Sequence, residues 1–187
     1  MGISGTRRKS QNDIDLSTEN ITEYWVLEML RGSADYVLPN TFYNSFEADI
    51  LVISKSKYIT EYEVKVSVSD FKNDAKKRKS YGNKKTKYQL LEEGNHVSRF
   101  YYVVPRGLIS KEDVPEFAGL IYASQGAYSG IVFEEVKSPK RLNADKISDS
   151  KFLHLLRNVY FKYHSERRER KKLKKQIQEC KLIKKSK

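Results

Sequence analysis

Asp49 and the tripeptide Glu63-Val64-Lys65 are the residues whose types and spacing suit a chemical task. Two carboxylates and a lysine carried by adjacent strands are the minimum equipment for Mg²⁺-dependent cleavage of a phosphodiester. Mg²⁺ prefers oxygen ligands and keeps several waters, so one or two carboxylates plus a backbone carbonyl suffice. Asp49 and Glu63 are the expected carboxylates, and the Val64 carbonyl is the natural further ligand. The metal would acidify a bound water and offset charge at phosphorus. Lys65 would orient or help deprotonate the attacking water and hold the scissile phosphate.

Two strands must position these groups. Glu47 to Ser54 and Tyr58 to Val68 read as a hairpin joined by the turn Lys55-Ser56-Lys57. Alternation puts Glu47, Asp49, Leu51 and Ile53 on one face of the first strand. On the second, Glu61, Glu63, Lys65 and Ser67 share a face, and Tyr62, Val64, Val66 and Val68 form the expected core face. A hairpin with one wet face explains such residues without chemistry. Three details favour chemistry. Asp49 adjoins the apolar run Ile50-Leu51-Val52-Ile53, where an unpaired charge is costly. Glu63 and Lys65 are same-face neighbours among β-branched residues. A basic helix follows at once, with Ser69 as its expected N-cap, Asp70 in its first turn, and Lys72, Lys76 and Lys77 along it.

Upstream, Ser17-Thr18-Glu19-Asn20 marks a helix start, and the helix is expected to stop at Gly32. Val26, Leu27 and Leu30 share a face with Glu23. Glu23 either sits at the edge of that stripe and reaches water, or presents a third carboxylate to the site. Tyr36 to Pro39 reads as a short extended piece. Arg99 to Pro105 is an apolar-aromatic run suited to a strand buried on both faces. Ala118 to Ala123 and Ile131 to Val136 are further strands. From Ser148 the pattern is helical, with Phe152, Leu153, Leu155, Leu156, Val159 and Tyr160 as its apolar side. The expected order is α-β-β-α-β-β-β-α in one mixed α/β domain. Residues 1–16 read as a disordered tail, 17–165 as the domain and 166–187 as a basic arm. Asp70 and Asp74 read as helix-surface ion-pair partners, the other reading placing Asp70 or Lys77 at the rim of the site. His96, His154 and His164 show no ligand spacing and receive no role.

The chain has 187 residues with 36 Lys and Arg against 24 Asp and Glu, a net charge of +12. That surplus favours a polyanionic partner, nucleic acid first, through phosphate contacts and counterion release. Arg167, Arg168, Lys171 and Lys172 of the arm join Lys72, Lys76 and Lys77 as expected contacts. Leu173, Ile177 and Cys180 form a weak stripe suited to dimerisation or to folding on binding. The one cysteine excludes an internal disulfide framework and a multi-cysteine zinc site. No apolar run is long enough to cross a bilayer, and no membrane role is expected.

Asp49 followed by Glu63-Val64-Lys65 resembles the D…(D/E)XK signature of the PD-(D/E)XK nuclease superfamily. The likeness continues through Tyr62 to Lys72, Phe100 to Pro105 and Val114 to Leu120, strings similar to those of small phage and bacterial DNA-repair or restriction-like nucleases. It spans about Thr18 to Val136. Ala48 stands where the superfamily name has proline, a position without a catalytic group. The resemblance implies a restriction-endonuclease-like αβββαβ core, with a mixed central sheet flanked by helices and a basic C-terminal helix beyond it. It implies Mg²⁺ or Mn²⁺ and hydrolysis of DNA, in the cytoplasm of a bacterium or a phage-infected host. The metal-binding acids map to Asp49 and Glu63, the lysine to Lys65, and the first-helix acid to Glu23, with Glu19 and Glu28 as alternatives. A non-catalytic DNA-binding module of the same fold, a basic nucleoprotein factor and an RNA-directed nuclease are the rival readings. A homodimer would let two sites cut two strands.

Overall fold

The computed structural model describes residues 23–32, 35–76, 85–126 and 130–185. The expected N-terminal tail, the expected helix start, Glu19 and Lys77 lie outside these residues. The chain divides into two compact units, with the boundary between Lys146 and Ile147.

The first unit is a mixed six-stranded sheet in sequence order, flanked by helices. Helix α1 (Glu23–Leu30) is followed by β1 (Tyr36–Tyr43), β2 (Phe46–Ile53) and β3 (Ile59–Val64). Helices α2 (Val68–Asp74) and α3 (Lys87–Glu92) lead to β4 (Arg99–Pro105), β5 (Ala118–Gln125) and β6 (Ile131–Lys137). The first three strands are antiparallel neighbours, β3, β4 and β5 run parallel, and β6 turns back. This is the expected α/β class with one more strand and one more helix than the sequence pattern suggests.

The additional strand is β1, which the pattern shows only as Tyr36 to Pro39. Pro39 cannot donate to a ladder, but among the described residues β1 pairs only with β2, and an edge strand tolerates it. The chain reverses through Asn44 and Ser45, both at positive φ (48° and 74°), as a two-residue hairpin turn requires. Serine in that conformation is uncommon, so the turn carries no strong signal in sequence. The end of α1 matches expectation, with Gly32 at φ 82° just beyond the helix.

One face of the sheet packs on α1. Val26 and Leu30 join Ile50, Val103 and Ile121 in a buried cluster, with Val52, Tyr62, Val64 and Tyr101 against it. Tyr62 and Tyr101 stack, with ring centroids 5.1 Å apart. Gly119 makes room for them, since a Cβ there would lie 2.6 Å from the Tyr101 ring. The opposite face is covered by α2 and α3, where Phe71 meets Tyr102 edge-on at 5.0 Å and Leu90 and Leu91 are buried.

The expected wet face of β3 is a buried one. Burial alternates with Ile59, Glu61 and Glu63 inside, while Thr60, Tyr62 and Val64 are half-buried. β3 also ends at Val64, four residues before the expected end. The chain then turns, and Ser67, not Ser69, caps α2 by accepting the Asp70 N–H at 3.1 Å.

The second unit is a single helix, α4 (Asp149–Lys185), 37 residues long and continuous across the expected boundary at 165/166. Ser148 caps it, its side chain accepting the Lys151 N–H. Leu155 is buried, whereas Leu153 and Tyr160 of the expected apolar side are exposed.

Candidate active site

The site is built at a fork between strands. β2 and β3 are paired from Ile53↔Ile59 to Ile50↔Tyr62, and the ladder stops there although both strands continue. At the next step the Asp49 carboxylate takes the place of a ladder partner, accepting the Val64 N–H at 2.7 Å. On the other side of β2, pairing with β1 keeps its register from Pro39↔Ile50 to Thr41↔Ala48 and passes over the Asn40–Asp49 position, where Asn40 stands at φ 45°. Asp49 is thus a paired residue in neither ladder. Non-glycine residues held at positive φ cluster at functional sites, and asparagine accepts that region most readily.

The fork brings together Asp49, Glu63, Val64 and Lys65. Lys65 Nζ lies 2.8 Å from Glu63 Oε1 and 3.1 Å from Asp74 Oδ1, with Asp70 at 3.8 Å. Asp74 is fully buried, so it is no helix-surface partner. Its Oδ2 accepts the Tyr102 hydroxyl at 2.8 Å, and that hydroxyl lies 2.6 Å from the Tyr88 hydroxyl.

Lys87, at the start of α3, is not legible in the sequence as a site residue. Its side chain is fully buried and donates to Glu63 Oε2 at 2.9 Å while also pairing with Glu61. Glu61 in turn meets His96 Nε2 at 2.9 Å. A carboxylate only accepts, so His96 donates from Nε2. The result is one buried chain of hydrogen bonds and ion pairs running from His96 through Glu61, Lys87, Glu63 and Lys65 to Asp74.

Burial alone would raise the Glu61 carboxyl, but the Lys87 ammonium and the His96 bond outweigh it and hold Glu61 below the ordinary carboxylate value. Burial would likewise lower Lys87, yet Glu61, Glu63 and Asp74 outweigh it and raise its pKa. Both groups therefore stay charged in the interior. The Tyr88 hydroxyl is raised to about 12, by burial first. Burial and the Asp74 charge raise Tyr102 as well.

The oxygen donors fit a hard divalent cation. Glu61, Glu63, Asp70 and Asp74 pair with Lys65 and Lys87, four carboxylates to two lysines, and Asp49 adds a fifth carboxylate at Val64. A carboxylate has about four acceptor sites, so the lysine bonds leave Glu63 capacity for a metal. Asp49, Glu63 and the Val64 carbonyl are the set that would hold it. Among the described residues, no group of three or more His, Cys, Asp and Glu side chains is arranged to hold a metal ion. A shared role for the backbone carbonyl and water is consistent with Mg²⁺, which seldom takes an all-protein cage.

Glu23 stands at the head of α1, but its side chain lies outside the described part. Lys72 and Lys76 are exposed on and just after α2, and Arg167, Arg168, Lys171 and Lys172 are exposed on α4. An open groove of about 430 Å³ adjoins the site at the carboxyl ends of β4 and β5, lined by Val66, Pro105, Arg106, Leu108, Ser124 and Gln125. Ligands of open α/β sheets commonly bind at that end of the strands.

No family model matches the chain, and no curated protein matches it. A solved structure, the SPO1766 protein of unknown function from Silicibacter pomeroyi, is similar with a TM-score of 0.50 and 22% identity, covering 76% of this chain and 82% of that one. A likeness at this identity concerns the fold.

Proposed function

We propose that the chain is a Mg²⁺-dependent deoxyribonuclease of the PD-(D/E)XK type. The observation that carries this reading is the fork: Asp49 is held against Val64 at 2.7 Å while Lys65 is held against Glu63 at 2.8 Å. The element order α1-β1-β2-β3, then the helices α2 and α3, then β4 supports it, because the resemblance implies an αβββαβ core. The basic balance of the chain supports a nucleic-acid substrate.

In this reading Asp49, Glu63 and the Val64 carbonyl hold the metal. When bound, Mg²⁺ or Mn²⁺ supplies Lewis-acid polarisation of the phosphate and a more acidic water. Lys87 locks Glu63 from behind through Oε2, so that Oε1 and Lys65 keep one fixed geometry. Lys65 places a positive charge where the phosphate gains negative charge, and orients the attacking water. The preorganisation comes from burial, which removes competing water from these hydrogen bonds.

The test is cleavage of single-stranded, duplex and branched DNA, and of RNA, with Mg²⁺, Mn²⁺ or EDTA. Metal-dependent cutting of DNA that is lost in Asp49→Asn supports the reading. Salt-sensitive binding without cutting under any metal would replace it with a DNA-binding module of the same fold.

A further inference from the structure

The helix α4 carries a second feature that the nuclease reading leaves unused. Tyr160, Phe161 and Tyr163 are 57%, 54% and 56% exposed, an unusual state for three large rings within four residues. The rings form a contiguous surface. Tyr160 lies 4.4 Å from the His164 ring and 5.7 Å from Phe161, and Tyr163 lies 5.8 Å from His164. The Arg157 guanidinium sits over Phe161 at 5.4 Å, and Lys162 falls between the rings in sequence.

Charge decides what such a surface suits. α4 holds thirteen Lys and Arg against four Asp and Glu, a net +9 of the chain's +12. A second copy of α4 laid on these rings would bring two strongly positive helices together. A polyanion gains where a second copy loses. Among polyanions, a duplex offers phosphates but keeps its base faces stacked inside. A single strand offers both phosphates and open base faces, the pairing of groups that aromatic rings interleaved with Lys and Arg recognise.

We propose that residues Arg157 to His164 of α4 are a stacking platform for single-stranded nucleic acid, with the basic residues beyond them tracking its phosphates. This rests on the nucleic-acid reading above and adds the strand form. It does not depend on turnover at the fork.

The test is fluorescence anisotropy of the full-length protein with a labelled oligothymidylate and with a duplex of equal length, in EDTA, across a salt series. Tyr160→Ala and Phe161→Ala are expected to weaken oligothymidylate binding by about 5- to 100-fold each, leaving duplex affinity and the salt slope unchanged. Arg167→Gln with Arg168→Gln is expected to flatten the salt slope for both ligands. Alanine favours helix, so α4 is expected to be retained in the variants, which circular dichroism checks. The proposal is overturned if the ring variants bind the oligonucleotide as the wild type does, or lose duplex binding equally. It is also overturned if light scattering finds a wild-type dimer that Tyr160→Ala dissolves, or if neither nucleic acid binds. Cleavage of the same oligonucleotide with Mg²⁺ by wild type and Asp49→Asn reports on the fork separately.

Discussion

Lysine plays opposite parts in the two units. In the sheet unit, Lys65 and Lys87 are 3% and 0% exposed, Lys65 pairing with Glu63, Asp74 and Asp70 and Lys87 with Glu61 and Glu63. In α4 the lysines and arginines from Arg157 to Lys181 are exposed, and along the helix basic residues outnumber acids about three to one. A buried cation is fixed in place and cannot be removed without stranding its partners. An exposed cation is hydrated and acts through the summed field, so any one of them is dispensable. The same residue type sets geometry in one unit and attraction in the other.

That contrast is broken most severely at the fork. Asp49→Asn is expected to lower cleavage by about a thousandfold or more while the melting temperature changes little, because Asp49 is half-buried and the amide can still accept the Val64 N–H. Glu63→Ala is expected to abolish cleavage too, but with loss of fold stability, since Lys65 and Lys87 would stay buried without it. An Asp49→Asn enzyme that cuts DNA at the wild-type rate would remove Asp49 from the site.

Lys87→Met is expected to cost about 3–5 kcal/mol of stability at neutral pH, read by chemical denaturation. Its pH dependence is the sharper readout. In the wild type Glu61 titrates below its ordinary value of 4.5, so its contribution is present above that pH and is lost as pH falls through the lowered value. Lys87 titrates above its ordinary 10.5, so its contribution is complete below 10.5 and is lost as pH rises through the raised value. Without Lys87, burial dominates at Glu61 and raises it, and the variant should gain stability as pH falls from 7 toward 5. A variant that only loses stability over that range would deny the coupling.

Gly119→Ala in the sheet unit tests packing without charge, since the new Cβ meets the Tyr101 ring at 2.6 Å. A cost of about 1–3 kcal/mol is expected as the ring shifts. The exposed cations of α4 give the smallest effects, and additive ones. Single substitutions such as Lys171→Ala or Lys172→Ala should lower nucleic-acid affinity only slightly. The salt slope should fall by about 0.7 to 0.9 for each phosphate no longer neutralised, with no change in melting temperature. A loss of fold stability from either would show that α4 charges are structural.

The hairpin of β2 and β3, the strands β4 to β6 and the long helix are legible because their apolar periodicity is local. The burial of the Glu61 and Glu63 face is not. Alternation reports which residues share a face, but polarity suggests water on that face, and the structure places cations there instead. Besides Lys65, the partners of Glu61 and Glu63 include Lys87 and His96, 24 to 35 residues away, and no spacing rule links them. The burial of Asp74 is hidden for the same reason, since its partner Lys65 precedes the helix that carries it. Strand β1 reads short because Pro39 and the Asn44-Ser45 turn both argue against a strand unless the sheet edge is known.

The buried chain of ion pairs and hydrogen bonds ties β3 to α2, α3 and β4. Each of its carboxylates is paired with a lysine, so exposing one group leaves its partner stranded in a medium that tolerates no lone ion. These elements do not open one at a time, and amide hydrogens on β3, α3 and β4 should exchange at a common rate set by a single opening.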